Sequence, residues 1–294
     1  MALRTSTNSI IKQIIIFLAA VFLWPGYSMA VKDNNTGHFE PLKQQLIKDG
    51  FDSEKIQTLY DRPEVNFEAE GVTVLFTYSE AKVDYDQFSN DWSIGLAKKY
   101  MEEHKVELEK TEKAYGVDKR VITAILLVES GLGRTVGTRS ALNTLSTLAV
   151  LMYPDVRSEF YTIIPETKRM PRQEFEKSAE RKSKWAYAEL KAFLKYAYRE
   201  GFNPAEISGS FAGAMGLAQF MPSSILAYGK DGDSDGTIDL HTHADSMASI
   251  ANYLKSHGWR PGISAEKAEK IIYQYNHSKY YVKAILKIAE RLEN

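Results

Sequence analysis

Apolar positions recur at helical rather than alternating spacing along most of this chain. Between Phe39 and Tyr60, the residues Leu42, Leu46, Ile56 and Leu59 follow that spacing, and Asp49-Gly50-Phe51-Asp52 interrupts it, which predicts two short helices around a turn. Val72-Thr73-Val74-Leu75-Phe76 is rich in β-branched residues and reads as a short strand. A long charged helix is expected over 91–114, ended near Gly116, with Asp118 as the N-cap of the next. Further helices are expected near 155–164, over 172–200, and around 244–257 and 265–291, with glycine-rich loops at 201–216 and 229–236. The pattern predicts a mostly α fold with long loops and at most a minor β element. A small helical N-terminal region (39–92) packs on a main domain (93–294).

The N-terminus follows another pattern. Arg4 and Lys12 precede an unbroken apolar run from Ile14 to Trp24, Pro25-Gly26 ends it, and Ser28-Met29-Ala30 offers small residues for cleavage after Ala30. This is the layout of a secretory signal peptide over 1–30. The run is short for a membrane span, and a retained anchor is the other reading. A polar linker over 31–38 is expected to be disordered. The leader predicts export to the periplasm or cell envelope, with no stable membrane span after cleavage.

Composition narrows the chemistry. The 294 residues are 44% hydrophobic and 26% charged, with a net charge of −1, so no global basic field points to nucleic acid. There is no cysteine, which excludes disulfides, thiolate zinc sites and a thiol nucleophile.

Within that frame, Ile122-Thr123-Ala124-Ile125-Leu126-Leu127-Val128-Glu129-Ser130-Gly131-Leu132-Gly133 is an apolar run ending in a carboxylate. From a start near Asp118, Ile122, Ile125, Leu126 and Glu129 stand at i, i+3, i+4 and i+7 and share one face. Glu129 also lies in the last turn, at the negative end of the helix dipole. Burial and dipole both disfavour its charged form and raise its pKa. A carboxyl kept protonated near neutral pH is what a general acid needs. The alternative is a structural Glu satisfied by loop N–H groups. Gly131 and Gly133 remove bulk beside it and let another chain approach.

A second stretch, Gly209-Ser210-Phe211-Ala212-Gly213-Ala214-Met215-Gly216-Leu217-Ala218-Gln219-Phe220-Met221-Pro222-Ser223-Ser224, is dominated by small residues up to Gly216. Small residues can line a groove, and Gln219 and Phe220 then supply an amide for hydroxyls and a ring for a pyranose face. A close helix–helix contact, with Gln219 at the surface, explains the same pattern.

The third stretch is acidic. Asp231, Asp233, Asp235 and Asp239 occupy positions 1, 3, 5 and 9 of a calcium loop, with Gly236 at 6 and the Thr237 carbonyl at 7. Position 12 is Thr242, so the usual bidentate Glu is missing, and a solvated acidic turn is the alternative. The spacing favours weak, structural Ca2+ binding over 231–242. His241 and His243 lack a third ligand at suitable spacing and read as surface residues.

Taken together, VESGLGR, GSFAGAMGLAQFMPSS and the downstream Tyr275-Asn276-His277-Ser278-Lys279-Tyr280-Tyr281 resemble the lytic murein transglycosylases of the membrane-bound type B family, over most of the chain from Phe39. The resemblance implies a lysozyme-like catalytic domain acting on peptidoglycan glycan strands, without an organic cofactor. It implies that Glu129 is the single acid/base. Ser210, Gln219, Phe220, Tyr253, Tyr275, Asn276 and Tyr281 would bind substrate, as would Tyr85 if an alignment gap is allowed. The implied reaction cleaves the MurNAc-β-1,4-GlcNAc bond and closes a 1,6-anhydro ring on MurNAc. Hydrolysis of the same bond and non-catalytic glycan binding are the alternatives. Family members carry a long insertion between the segments around Trp259 and Tyr273. This chain is short there, so a small β-rich subdomain beside the groove is expected to be missing. It also lacks the cysteine that anchors the lipoprotein members.

Overall fold

The computed structural model describes residues 35–77 and 84–293. The leader expected over 1–30 lies outside them. The part of the expected linker within the described residues is ordered: Asn35–Phe39 forms a 3-10 turn. There His38 stacks on Phe67 at 4.6 Å and reaches Glu159 at 3.0 Å.

Thirteen α-helices follow among the described residues: α1 (Glu40–Lys48), α2 (Ser53–Tyr60), α3 (Ala69–Thr77), α4 (Asp91–Glu103), α5 (Lys105–Tyr115), α6 (Lys119–Ser130), α7 (Ala141–Val150), α8 (Pro154–Ile163), α9 (Arg172–Glu200), α10 (Pro222–Tyr228), α11 (His243–Ser256), α12 (Ala265–Tyr275) and α13 (Lys279–Arg291). The β content among them is two short antiparallel strands, β1 (Arg139–Ser140) and β2 (Ser208–Gly209), with Arg139 opposite Gly209, and an isolated bridge between Met215 and Phe220.

The centre of the fold is α6. Asp118 caps it by accepting from Arg120 N at 2.8 Å, and every residue from Val121 to Ser130 is buried. Each fully buried Ile or Leu contributes about 2 kcal/mol, so this helix is held by its sides rather than by its propensity. The buried α7 lies against α9, and its polar residues are all but one satisfied by the N-terminal region. Ser146 Oγ pairs with Tyr60 Oη at 2.7 Å, Asn143 Nδ2 donates to Glu64 O at 2.9 Å, and Thr147 Oγ1 accepts from Glu68 N at 2.8 Å. The N-terminal helices therefore share one core with the rest, from Leu42 through Ile125 to Ile285.

Three sequence expectations change. The 72–76 strand is part of α3. Val72 and Phe76, four residues apart, are buried, and the Phe76 ring packs against Phe160 and Phe175 at 5.5 and 5.2 Å. A helical face that meets a core overrides β propensity. The 91–114 helix breaks at His104, whose ring sits 4.4 Å from Tyr100 and 4.3 Å from His243. His243 is therefore half-buried and takes part in a hydrogen bond with Tyr100 Oη at 2.9 Å, not a surface residue. The 265–291 helix breaks at 276–278, where Ser278 caps α13. The connection from α11 to α12 is short, as the missing insertion predicts.

Candidate active site

Glu129 sits one residue before the end of α6. The helix ends in a left-handed Gly131 (φ 57°), with Leu132 N donating to Leu126 O at 3.0 Å and Gly131 N to Leu127 O at 3.1 Å. This closure satisfies carbonyls that would otherwise be orphaned. It also turns the chain sharply away, so that β1 can pair with β2. At Gly137 (φ 87°) a side chain would fall on the Gly209 carbonyl, so only glycine permits that approach. The pairing carries Ser210 to the loop that follows Glu129.

The Glu129 side chain is 3% exposed. Tyr281 Oη donates to its Oε1 at 2.8 Å. Burial pushes the carboxyl up to about 8, and the Tyr281 hydrogen bond lowers it only partly. Burial and the neighbouring Glu129 in turn hold the Tyr281 phenol well above its ordinary range, so it stays a donor. The break between α12 and α13 sets this geometry. It lets the Tyr275 and Tyr281 rings lie parallel at 6.3 Å, and Tyr85 meets Tyr281 edge-on at 6.4 Å. Tyr275 Oη donates to Ala218 O at 2.6 Å, tying this aromatic group to the glycine-rich segment.

A cleft of 770 Å³ opens beside the end of α6. Leu127, Val128, Gly131, Ser210, Phe211, Phe88, Asn90 and Trp92 are among the residues that line it, and Glu129 lies behind Leu127–Gly131. None of the described residues lining it is acidic. Ser210 Oγ accepts from Ala212 N and Ala214 N at 3.2 and 3.0 Å, which leaves its hydroxyl proton able to donate elsewhere.

The remaining predicted residues divide into two groups. Gln219, at φ 48°, donates to Val136 O and Gly216 O at 3.1 and 2.7 Å; its Oε1 is buried with no partner among the described residues. Both amide atoms of Asn276 are likewise buried and unpartnered. Buried polar atoms left this way mark places where a partner is due. Phe220 and Tyr253 face inward instead. The Phe220 ring is 3% exposed and packs on Tyr253 and Tyr275 at 5.8 and 5.7 Å, so it backs the groove and is not open to a sugar face. Tyr253 stacks on His257 at 4.2 Å and donates to Gln274 O at 2.6 Å.

The acidic loop gathers differently from its spacing. Carboxylate oxygens of Asp231, Asp233 and Asp245 lie within 4.8 Å of one another. Asp235 and Asp239, which accept from Thr237 N at 2.8 Å and His241 N at 2.9 Å, lie outside this group of three. Asp245 is the residue that loop spacing missed, being three positions beyond the twelfth and on α11. The signal available for it was an acidic residue in the first turn of the exiting helix. It is 1% exposed and accepts from Gly232 N and Asp239 N, both at 2.7 Å. Three carboxylates this close, one of them buried, fit a hard divalent cation. The loop also reaches the groove: Leu217 N donates to Leu240 O at 2.7 Å, and at Gly216 (φ 69°) a side chain would strike that carbonyl.

Residues 34–268 match the family model described as transglycosylase SLT domain. The chain belongs to that family. It is 36% identical over 155 residues to membrane-bound lytic murein transglycosylase B of Escherichia coli (strain K12), a match that covers 53% of this chain and 36% of that relative's length. The chain thus spans about a third of the curated relative it matches. The soluble lytic transglycosylase SltB1 from Pseudomonas aeruginosa has the same fold, with a TM-score of 0.70 at 24% identity, over 86% of this chain and 97% of that one. So does the Escherichia coli lytic transglycosylase Slt35 in complex with calcium, with a TM-score of 0.65 at 23% identity, over 88% of this chain and 93% of that one. The fold is lysozyme-like and mostly α. No helix of the described residues is long and apolar enough to cross a membrane.

Proposed function

We propose that this chain is a peptidoglycan lytic transglycosylase that cleaves the MurNAc-β-1,4-GlcNAc bond with Glu129 as its single acid/base. The observation that carries the reading is a buried carboxyl raised to about 8, set behind the Leu127–Gly131 wall of a cleft whose described lining holds no acid of its own. A glycosidase built on two carboxylates needs a partner acid across the bond. In the proposed reaction Glu129 protonates the glycosidic oxygen and the substrate's N-acetyl group assists departure. The resulting carboxylate then accepts the proton of the C6 hydroxyl as the 1,6-anhydro ring closes. Tyr281 orients the carboxyl and steadies its anionic form between the two steps. Ser210, in the cleft lining, offers a hydrogen bond to an N-acetyl or hydroxyl group; the amide of Asn276 and the Oε1 of Gln219, buried outside that lining, would reach a sugar only after their surroundings open. Tyr85 and Tyr275 complete the wall around the acid, while Phe220 and Tyr253 support it from behind. The N-terminal helices act as a buttress of the catalytic domain.

Calcium fits the same picture as a structural ion. Asp231, Asp233 and Asp245 would hold it, and the charge it neutralises would fix the loop whose Leu240 carbonyl anchors the groove segment. The expected site of action is the periplasm or cell envelope, reached through the leader. Mass spectrometry of digested sacculi tests the activity. The expected products carry 1,6-anhydro ends. Reducing ends would establish a hydrolase instead, and absence of cleavage a binding protein.

A further inference from the structure

The cleft has a cationic and aromatic rim that the acid/base scheme does not use. Arg134, five residues beyond Glu129, folds back over the turn and donates from Nε to Gly131 O at 2.8 Å. Its guanidinium lies 5.3 Å from the centroid of the Trp92 ring, and both side chains line the cleft. Trp92 is 67% exposed, so its ring face is open to a ligand in the cleft. The other cation of the lining, Arg139, is already ion-paired with Glu68. The Nε of Arg134 is committed to the turn, and its two terminal nitrogens form a planar fork with no carboxylate partner among the described residues. Such a fork matches a carboxylate in two parallel hydrogen bonds. The indole beneath restrains the guanidinium and lowers the entropy lost on binding.

We propose that Arg134, supported by Trp92, is a subsite for a carboxylate borne by the glycan strand. This rests on the peptidoglycan reading above. The carboxylate has two sources: the stem peptide, or the lactyl group of MurNAc where the stem has been removed. A cation fixed to the turn of the acid-bearing helix holds that substituent at a set distance from Glu129, so the subsite selects substituted strands over neutral ones. Arg134 is a specificity residue in this account and takes no part in proton transfer.

Calorimetric titration tests it, in the Glu129→Gln background so that no ligand turns over. The probes are GlcNAc-MurNAc-pentapeptide, GlcNAc-MurNAc with its free lactyl carboxylate, and neutral chitotetraose. Arg134→Gln is expected to weaken the carboxylate-bearing probes about ten-fold and to flatten their dependence on salt, as the loss of one charge-assisted pair predicts. Chitotetraose affinity should not move. Whichever of the two charged probes loses more identifies the source. Trp92→Ala should give a smaller loss on the same probes, and Trp92→Phe should restore most of it. Equal weakening of all three probes, or none, overturns the subsite even if the chain cleaves sacculi. Absence of both cleavage and binding of any probe overturns the subsite and the activity together.

Discussion

Two acidic sites in this molecule have opposite surroundings. At the end of α6 one carboxyl is taken out of water with a phenol for company and no cation among the described residues, and it keeps its proton. In the loop before α11 several carboxylates accept backbone N–H groups, two each at Asp231 and Asp245, and converge. Hydrogen bonds from Gly236 and its neighbours hold Asp231 below the usual carboxylate range. Isolation in a dry place makes an acid of Glu129; in the loop, N–H donors hold Asp231 low while burial raises Asp245 despite its two donors. Residue type is the same class in both. What differs is the number of donors and the number of like charges nearby.

The largest effect that can break this contrast comes from Glu129→Gln. Cleavage should fall by roughly a thousand-fold or more, the scale of a lost general acid, measured on sacculi by release of anhydro products. Retention of activity would sink the mechanism. The same variant reports on burial. Burial raises the folded carboxyl to about 8, from 4.5 when it is exposed to water. The fold therefore keeps a proton that the unfolded chain releases, and its stability declines as pH rises through that window. Near pH 7 the cost is about 3 kcal/mol. Denaturant unfolding should find the Gln variant more stable by about that amount near neutrality, with the gap closing below the unfolded-chain value.

Calcium removal comes next. At saturating ion, a site occupied at about a hundred times its dissociation constant adds about 3 kcal/mol. A chelator should lower the melting temperature, added calcium should restore it, and Asp245→Asn should abolish the response. A melting curve indifferent to both reagents leaves an acidic turn and no cage. The smallest effect sharpens the Glu129 side. Tyr281→Phe removes the group that pulls the Glu129 pKa down, so the alkaline limb of the activity profile should move further up in pH. Its stability cost should be near 1 kcal/mol. An alkaline limb that stays put or moves to lower pH would show that the phenol does not govern this proton.

Much of the Glu129 site was legible in the chain. Helical spacing grouped Glu129 with Ile122, Ile125 and Leu126, but α6 is buried on every side from Val121 to Ser130, so packing rather than the choice of face took the carboxyl out of water. Long amphipathic elements such as α9 were legible from their own periodicity. The short, locally ambiguous segments were not. Residues 72–76 form a helix because Phe76 finds Phe160 and Phe175, and these contacts are remote in sequence. Ala141–Val150 is buried on every side, and its polar residues Asn143, Ser146 and Thr147 find partners in the N-terminal region rather than water, so no solvent-facing stripe marks it as a helix. Phe220 looked like a sugar platform until its neighbours buried it.

The sequence by itself determined which residues can carry chemistry: one carboxylate at the end of an apolar helix, a glycine-rich segment, a phenol-rich break near the C-terminus and an acidic loop. Those depend on local spacing and backbone permissiveness, which the chain encodes within a few residues. Tertiary structure alone decided what surrounds each of them. Tyr281 reaches Glu129 across 152 positions, Asp245 joins Asp231 and Asp233 from the next helix, and Arg134 meets Trp92 at the cleft rim. Proton affinity, cation affinity and ligand choice are set by burial and by neighbours a few ångströms away, and only folding brings those neighbours into place.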